Sequence, residues 1–367
     1  MENSIKKREI KVNSSQFNYK YKKRIHFPFS ISLLVTYLKS KTKINENCKF
    51  EKSFIFRDEV EKNIQQCKDS DILMCSCYVW NWEVTTHLAR EVKKINPNCT
   101  IIFGGPQVPD ISDGFFEKYP FVDIMCHGEG ELIIENIFNA FLKDKDYSNV
   151  LGIETKKLKN SLQPRIDNFS DLPSPYLTNT IWELVEKRED VEYVGSWETL
   201  RGCPYACTFC DWGSATAAKV KKFQDDRIDK EIEWFAENKI AYIDCCDANF
   251  GLFQERDLKI AEKLSAVALK KGYPQTFHPT FAKFSSERLI PIAKTLQSSG
   301  LLRAVTLAVQ SMDEATLDII KRANVKFDEW SALTKSFRDA EIPTYTELIM
   351  GLPGETVDSF KEGLEII

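Results

Sequence analysis

Three cysteines, Cys203, Cys207 and Cys210, fall within the stretch RGCPYACTFCDWG (201–213). Thiolates are soft ligands, and a spacing of three residues and then two puts all three on one short loop. A closed structural zinc site takes four ligands, and an electron-transfer 4Fe–4S cluster takes four cysteines. Three at this spacing leave one metal corner free, and a free corner is where chemistry can happen. The competing reading is a zinc knuckle completed by a distant fourth ligand, His278 or Cys245.

A loop of this kind needs strands and helices to hold it. From residue 196 onward such elements alternate. Strand WETLRG (197–202) leads into the cysteines, and helix IDKEIEWFAEN (228–238) precedes strand AYIDCCD (241–247). The segment 257–272 carries apolar residues at 260, 261, 264, 267 and 268, one helical face. Strand TFHPTFAKF (276–284), a helix with a glycine stop at 300, strand AVTLAVQS (304–311), two helices and strand TYTELIMG (344–351) follow. Five β/α steps of a barrel-like array are expected, and Ile367 lies inside the fifth helix, so the chain reads as a fragment with an incomplete barrel.

The first 145 residues alternate in the same way. Strand-like REIKVN (8–13), KFEKSFIF (49–56), DILMCSCYVW (71–80), TIIFGG (100–105) and FVDIMC (121–126) interleave with helical patterns at 30–40, 87–95 and 131–142. That pace predicts an α/β, doubly wound Rossmann-like domain, with ligands at the carboxyl ends of the strands. Those ends are YVWNW (78–82), GGPQVP (104–109) and HGEGE (127–131). Prolines at 164, 173 and 175 mark an extended linker. The expected layout is a domain at 1–145, a linker at 146–194 and a partial barrel at 195–367.

Composition narrows the class of protein. The chain has 367 residues, 43% of them hydrophobic, and a net charge of −4, which does not favour nonspecific nucleic-acid binding. No run approaches the roughly 18 apolar residues of a membrane-spanning helix, and the basic N-terminus lacks a signal peptide's apolar core. A cytoplasmic location is expected. There the other eight of the eleven cysteines are small buried hydrophobes rather than a disulfide framework.

The CxxxCxxC loop after the first strand of a β/α array, with Phe209 before the third cysteine, resembles the radical S-adenosylmethionine (SAM) superfamily. The resemblance implies that Cys203, Cys207 and Cys210 hold three irons of a 4Fe–4S cluster. SAM would chelate the fourth iron and be cleaved to a 5′-deoxyadenosyl radical. It further implies SAM contacts at Asn249 in DANFG (247–251), Lys283 in FAKF (281–284), Gln310 and Ser311 in AVQS (308–311), and Glu347 in TELIMGLPGET (346–356).

The order FPFSISLLVTYLKS, CSCYVWN, FGGPQVP and HGEGE ahead of that core resembles the cobalamin-binding radical SAM subfamily. On that resemblance Gly104, Gly105, Gly128, Glu129 and Gly130 approach the corrin or its tail. The DxHxxG histidine of many cobalamin proteins is absent: Arg24 precedes His26, Thr85 precedes His87 and Met125 precedes His127 by two positions. Trp80 or Trp82 then covers the lower face of cobalt.

The implied reaction is methylation of an unactivated carbon (or a phosphinate phosphorus) in a natural-product or peptide substrate, with an electron donor such as flavodoxin or ferredoxin. Rearrangement, cyclisation or ring contraction with the same cofactors is the alternative enzyme, and a non-catalytic metal–cobalamin sensor the alternative outside catalysis.

Overall fold

The computed structural model describes residues 8–210, 218–282, 288–322 and 327–367. The chain divides into two compact units, Met1–Tyr193 and Val194–Ile367.

The first unit is built on strands β1 (Ile10–Ser15), β2 (Arg24–His26), β3 (Cys48–Phe50), β4 (Ile72–Ser76), β5 (Thr100–Gly104), β6 (Ile124–Cys126) and β7 (Ile153–Glu154). Six of them form one sheet in the order β3-β1-β4-β5-β6-β7. All neighbours are parallel except β7, which runs antiparallel to β6 at the edge. Alternate strand residues serve opposite faces, because side chains alternate along a strand. Leu73, Cys75, Ile101 and Phe103 pack with Leu88 and Val92 of helix Trp82–Ile95. Ile72, Met74, Ile102 and Ile124 pack with Ile31 and Val35 of helix Phe29–Lys39 and with Ile133 and Ile137 of helix Gly130–Lys143. Both faces are therefore covered, as the doubly wound expectation requires. Cys48, Cys67, Cys75 and Cys99 sit in these cores, and burial pushes each thiol up to about 12.

Two expectations change here. The strand expected over 49–56 is only three residues long, and beyond it Phe54 touches the sheet through one bridge to Ser15. Of the segment expected as a linker, 146–194, all but the last residue is part of the first unit. Its β7 closes the sheet edge, and Ser53 N–H donates to the Leu184 carbonyl at 2.8 Å. Prolines set the path of the backbone there without detaching it, because buried residues such as Ile166, Phe169 and Tyr176 anchor it.

The second unit carries β8 (Glu192–Trp197), which starts in the last two residues of the first unit, then β9 (Leu200–Arg201), β10 (Lys221–Lys222), β11 (Tyr242–Cys245), β12 (Thr276–His278), β13 (Val305–Thr306) and β14 (Thr344–Tyr345). β8, β11 and β12 are parallel neighbours in the order β12-β11-β8. β13 and β14 form a separate parallel pair, so the expected single parallel array is divided between two sheets among the described residues, beside the antiparallel β9–β10 pair. The first strand lies earlier than WETLRG: β8 ends at Trp197, and β9 instead pairs antiparallel with β10. Trp197 explains the shift. It is fully buried against Phe235 and Phe277, and its indole N–H donates to Glu231 Oε2 at 2.7 Å, so it belongs to the core strand.

Candidate functional site

The β9–β10 ladder closes the base of the cysteine loop. Gly202 enters the loop at φ +117°, and a Cβ there would lie 2.6 Å from the Lys219 carbonyl oxygen, so the turn requires glycine. Inside the loop, Ala218 N–H donates to the Cys203 carbonyl at 2.8 Å and Cys210 N–H to the Cys207 carbonyl at 3.2 Å. Thr208 N–H reaches the Ile320 carbonyl at 2.9 Å, fastening the loop to the end of helix Glu314–Ile319. Phe209 packs against Leu317, Ile320 and Leu352, which makes it an apolar anchor of the loop. Cys203 and Cys207 are buried and Cys210 half-buried.

Asn249 stands beside the first cysteine. It is 0% exposed, its amide nitrogen donates to Cys203 Sγ at 3.3 Å, and its Oδ1 has no hydrogen-bond partner among the described residues. A buried carbonyl oxygen left unpaired is costly, so an acceptor held here suits a ligand that brings a donor. Gln310 lies at φ +68°, a left-handed conformation rare for a residue with a Cβ. Its amide donates to the Glu347 carbonyl at 2.9 Å, and its carbonyl accepts from Ile349 N–H at 2.8 Å, so the ladder enforces the turn. Ser311 is buried and donates to Glu355 Oε1 at 3.0 Å, while Glu355 Oε2 accepts from Gly351 N–H at 3.0 Å. Glu347 is exposed and acts on the charge of His278. Lys283 lies outside the described residues.

The two ligands suggested for a zinc knuckle are otherwise engaged. His278 Nδ1 lies 3.3 Å from Asp244 Oδ1, opposite it in the β11–β12 register, and that bond raises the imidazole above its ordinary value. Cys245 is buried, and desolvation pushes its thiol well up. Among the described residues no three His, Cys, Asp or Glu side chains meet as the ligands of one ion would.

Asp247, Glu355 and Arg322 escaped the sequence reading. Asp247 accepts from Thr199 N–H at 2.7 Å, Leu200 N–H at 3.0 Å and the Thr199 hydroxyl at 2.5 Å, and so sets the path from β8 into the cysteine loop. Burial raises its carboxyl from 3.8 to about 7, against the pull of those donors. The native state thus keeps a proton that the unfolded chain releases. The stabilisation is full below about pH 4 and lost as pH rises through about 7. Asp247→Asn is expected to flatten the dependence of unfolding midpoint on pH between those values. An unaltered slope would show that the proton sits elsewhere.

In the first unit the residues at the strand ends divide. Trp82 belongs to the core, with Phe103 and Tyr119 edge-on at 5.7 and 5.4 Å. Trp80 is 43% exposed and stacked on Tyr78 at 4.3 Å, and the Tyr78 hydroxyl is held by Ser30 at 2.6 Å. Gly128 (φ +100°) faces open space, whereas a Cβ on Gly105 would lie 2.6 Å from the Cys77 carbonyl oxygen and one on Gly130 2.9 Å from Leu34. Gly105 therefore permits a close backbone approach, the Leu34 methyl near Gly130 ends a side chain that can give way, and Gly104 has ordinary room for a side chain. Glu129 is buried with both oxygens occupied: Arg165 donates to one at 2.8 Å and Ile166 N–H to the other at 2.8 Å. These bonds pin the 146–193 segment. No helix among the described residues is long and apolar enough to cross a membrane.

A three-cysteine loop after the first strand of a β/α unit, with a buried amide on one thiol, defines the class. Residues 197–367 match the Radical SAM superfamily. The chain is also 38% identical over 344 residues to the cobalamin-dependent radical SAM methyltransferase TokK of Streptomyces tokunonensis, covering 92% of this chain and 50% of that protein. It is 37% identical, with the same coverage, to the 2-(S-pantetheinyl)-carbapenam-3-carboxylate methyltransferase of Streptantibioticus cattleyicolor. The chain thus spans about half the length of these relatives. Its fold is similar to that of the radical SAM methyltransferase TsrM of Kitasatospora setae, solved with cobalamin and a 4Fe–4S cluster bound. The TM-score is 0.72 at 14% identity, over 98% of this chain and 70% of that one.

Proposed function

We propose that the chain is the cobalamin-binding and radical SAM part of a methyltransferase that acts on an unactivated carbon of a small molecule. When bound, a 4Fe–4S cluster would supply the electron that cleaves SAM, and cobalamin would carry the methyl group. Asn249 is the observation that carries this reading: its nitrogen holds Cys203, while its buried oxygen waits for a donor such as the ammonium of SAM. Cys203, Cys207 and Cys210 would hold the cluster. Gln310, Ser311, Lys283 and Glu347 would line the SAM side, the turn at 351–354 being braced by Glu355. Trp80 offers a rigid, solvent-facing aromatic plate for one face of the corrin, with Gly128 open beside the tail. A small electron-transfer protein of the flavodoxin or ferredoxin type would be the reductant.

The chain, reconstituted anaerobically with iron and sulfide, is incubated with SAM, a reductant and hydroxocobalamin. The first substrate to test is the carbapenam after which one relative is named. A methylated product, heavier by one CH2, together with 5′-deoxyadenosine is expected. Product of unchanged mass would favour rearrangement, and absence of 5′-deoxyadenosine would refute the reading. Trp80→Ala is expected to lower cobalamin retention on gel filtration while leaving iron content unchanged.

A further inference from the structure

Arg322 has no place in the contacts above, yet it is only 5% exposed. Its backbone N–H donates to the Leu317 carbonyl at 2.9 Å, just beyond helix Glu314–Ile319. Its guanidinium donates to the Ala308 carbonyl, two residues before Gln310. Cys207, Cys210 and Tyr205 of the loop lie near enough to the same guanidinium to act on its charge, Cys207 most strongly. Two residues earlier, the Ile320 carbonyl holds Thr208 N–H, so loop and arginine come as one packed piece. Burying a cation is costly unless hydrogen bonds and counter-charge receive it. Burial does lower this guanidinium, with Cys207 pulling the other way, but arginine starts high enough to stay charged.

We infer that Arg322 is a positioning residue that balances the charge of a cluster held at Cys207 and raises its reduction potential. The inference rests on the cluster reading above. An added electron makes a thiolate-bound cluster more negative. A fixed cation in a poorly polarisable interior favours that reduced state, and hydrogen bonds to cluster sulfurs act in the same direction. The electron comes from an added reductant, dithionite in the test, and no bond breaks in this step. The two sides of the cradle differ in kind: Cys203 receives a neutral amide from Asn249, and Cys207 receives a full charge. A guanidinium that also holds the Ala308 carbonyl ties the electrostatics of the cluster to the strand end where Gln310 and Ser311 sit.

The test uses the full chain without substrate or cobalamin. Wild type, R322Q, R322M and R322K are reconstituted anaerobically, checked for folding by far-UV circular dichroism, and assayed for iron. The midpoint potential is then read by electron-paramagnetic titration. Either neutral variant is expected to titrate at a more negative potential than wild type, and R322K to recover most of the shift. R322M keeps an apolar stem of similar reach, so it stands in if R322Q does not fold. A folded neutral variant with the wild-type potential overturns the inference and leaves the cluster reading intact. A wild-type chain that takes up no iron overturns both.

Discussion

Cys207→Ala is expected to strip the reconstituted protein of most of its iron and to cut 5′-deoxyadenosine formation more than about 100-fold, the loss that outer partners of metal ligands alone can cause. Two effects combine. One thiolate of three is gone, and the remaining pair cannot hold a cluster that already has an open corner. The buried Arg322 guanidinium also loses the sulfur that receives its charge. The thermal midpoint of the second unit should therefore fall even before iron is added. Iron and acid-labile sulfide assays check the first effect, and a melt of the metal-free chain checks the second. A Cys207→Ala protein with full iron content would show that the loop is not the cradle.

Glu129→Ala is expected to destabilise the first unit by about 2–4 kcal/mol, because a buried carboxylate holding a charged and a neutral donor is removed and both donors are left behind. Arg165 keeps some access to water, which holds the cost below that of a fully enclosed pair. The measurement is urea unfolding of the full chain, followed by a probe in the first unit such as the Trp182 region. Glu129→Gln should lose less, since its side-chain oxygen can still accept from Ile166 N–H. Unchanged unfolding with lost cobalamin retention would return Glu129 to the cofactor-facing residues.

Glu129 also shows where sequence reasoning stops. HGEGE at the end of β6 was legible as a strand end, but nothing in the sequence says that a residue 36 positions later, Arg165, swings back to occupy the carboxylate. The 146–193 segment looked like a linker for the same reason: its anchors are long-range contacts, which local patterns do not encode. The doubly wound sheet was legible because alternate faces demand alternate apolar residues, as at Ile72, Leu73, Met74 and Cys75. The three cysteines were legible because ligand spacing on one loop is local. Asn249 was singled out by resemblance as a SAM contact, and the structure adds the thiol it donates to. Asp247, Arg322 and Glu355 were not, since each acts by reaching a backbone group, hydroxyl or thiol distant in sequence. At Gly105 the structure adds a close approach to the Cys77 backbone, which the sequence alone does not reveal, because a glycine that admits a ligand and one that admits a neighbouring strand look identical there.

The bond from Thr208 to Ile320 has a bearing on biosynthesis. A ribosome delivers the cysteines more than a hundred residues before the carbonyl that fastens their loop (208 against 320). Contacts of such separation form late, after the intervening chain has been made and collapsed. Nascent polypeptide carrying Cys203, Cys207 and Cys210 is thus an unfinished receptacle, and maturation with iron and sulfide belongs after translation of the Arg322 codon rather than alongside emergence of the thiols.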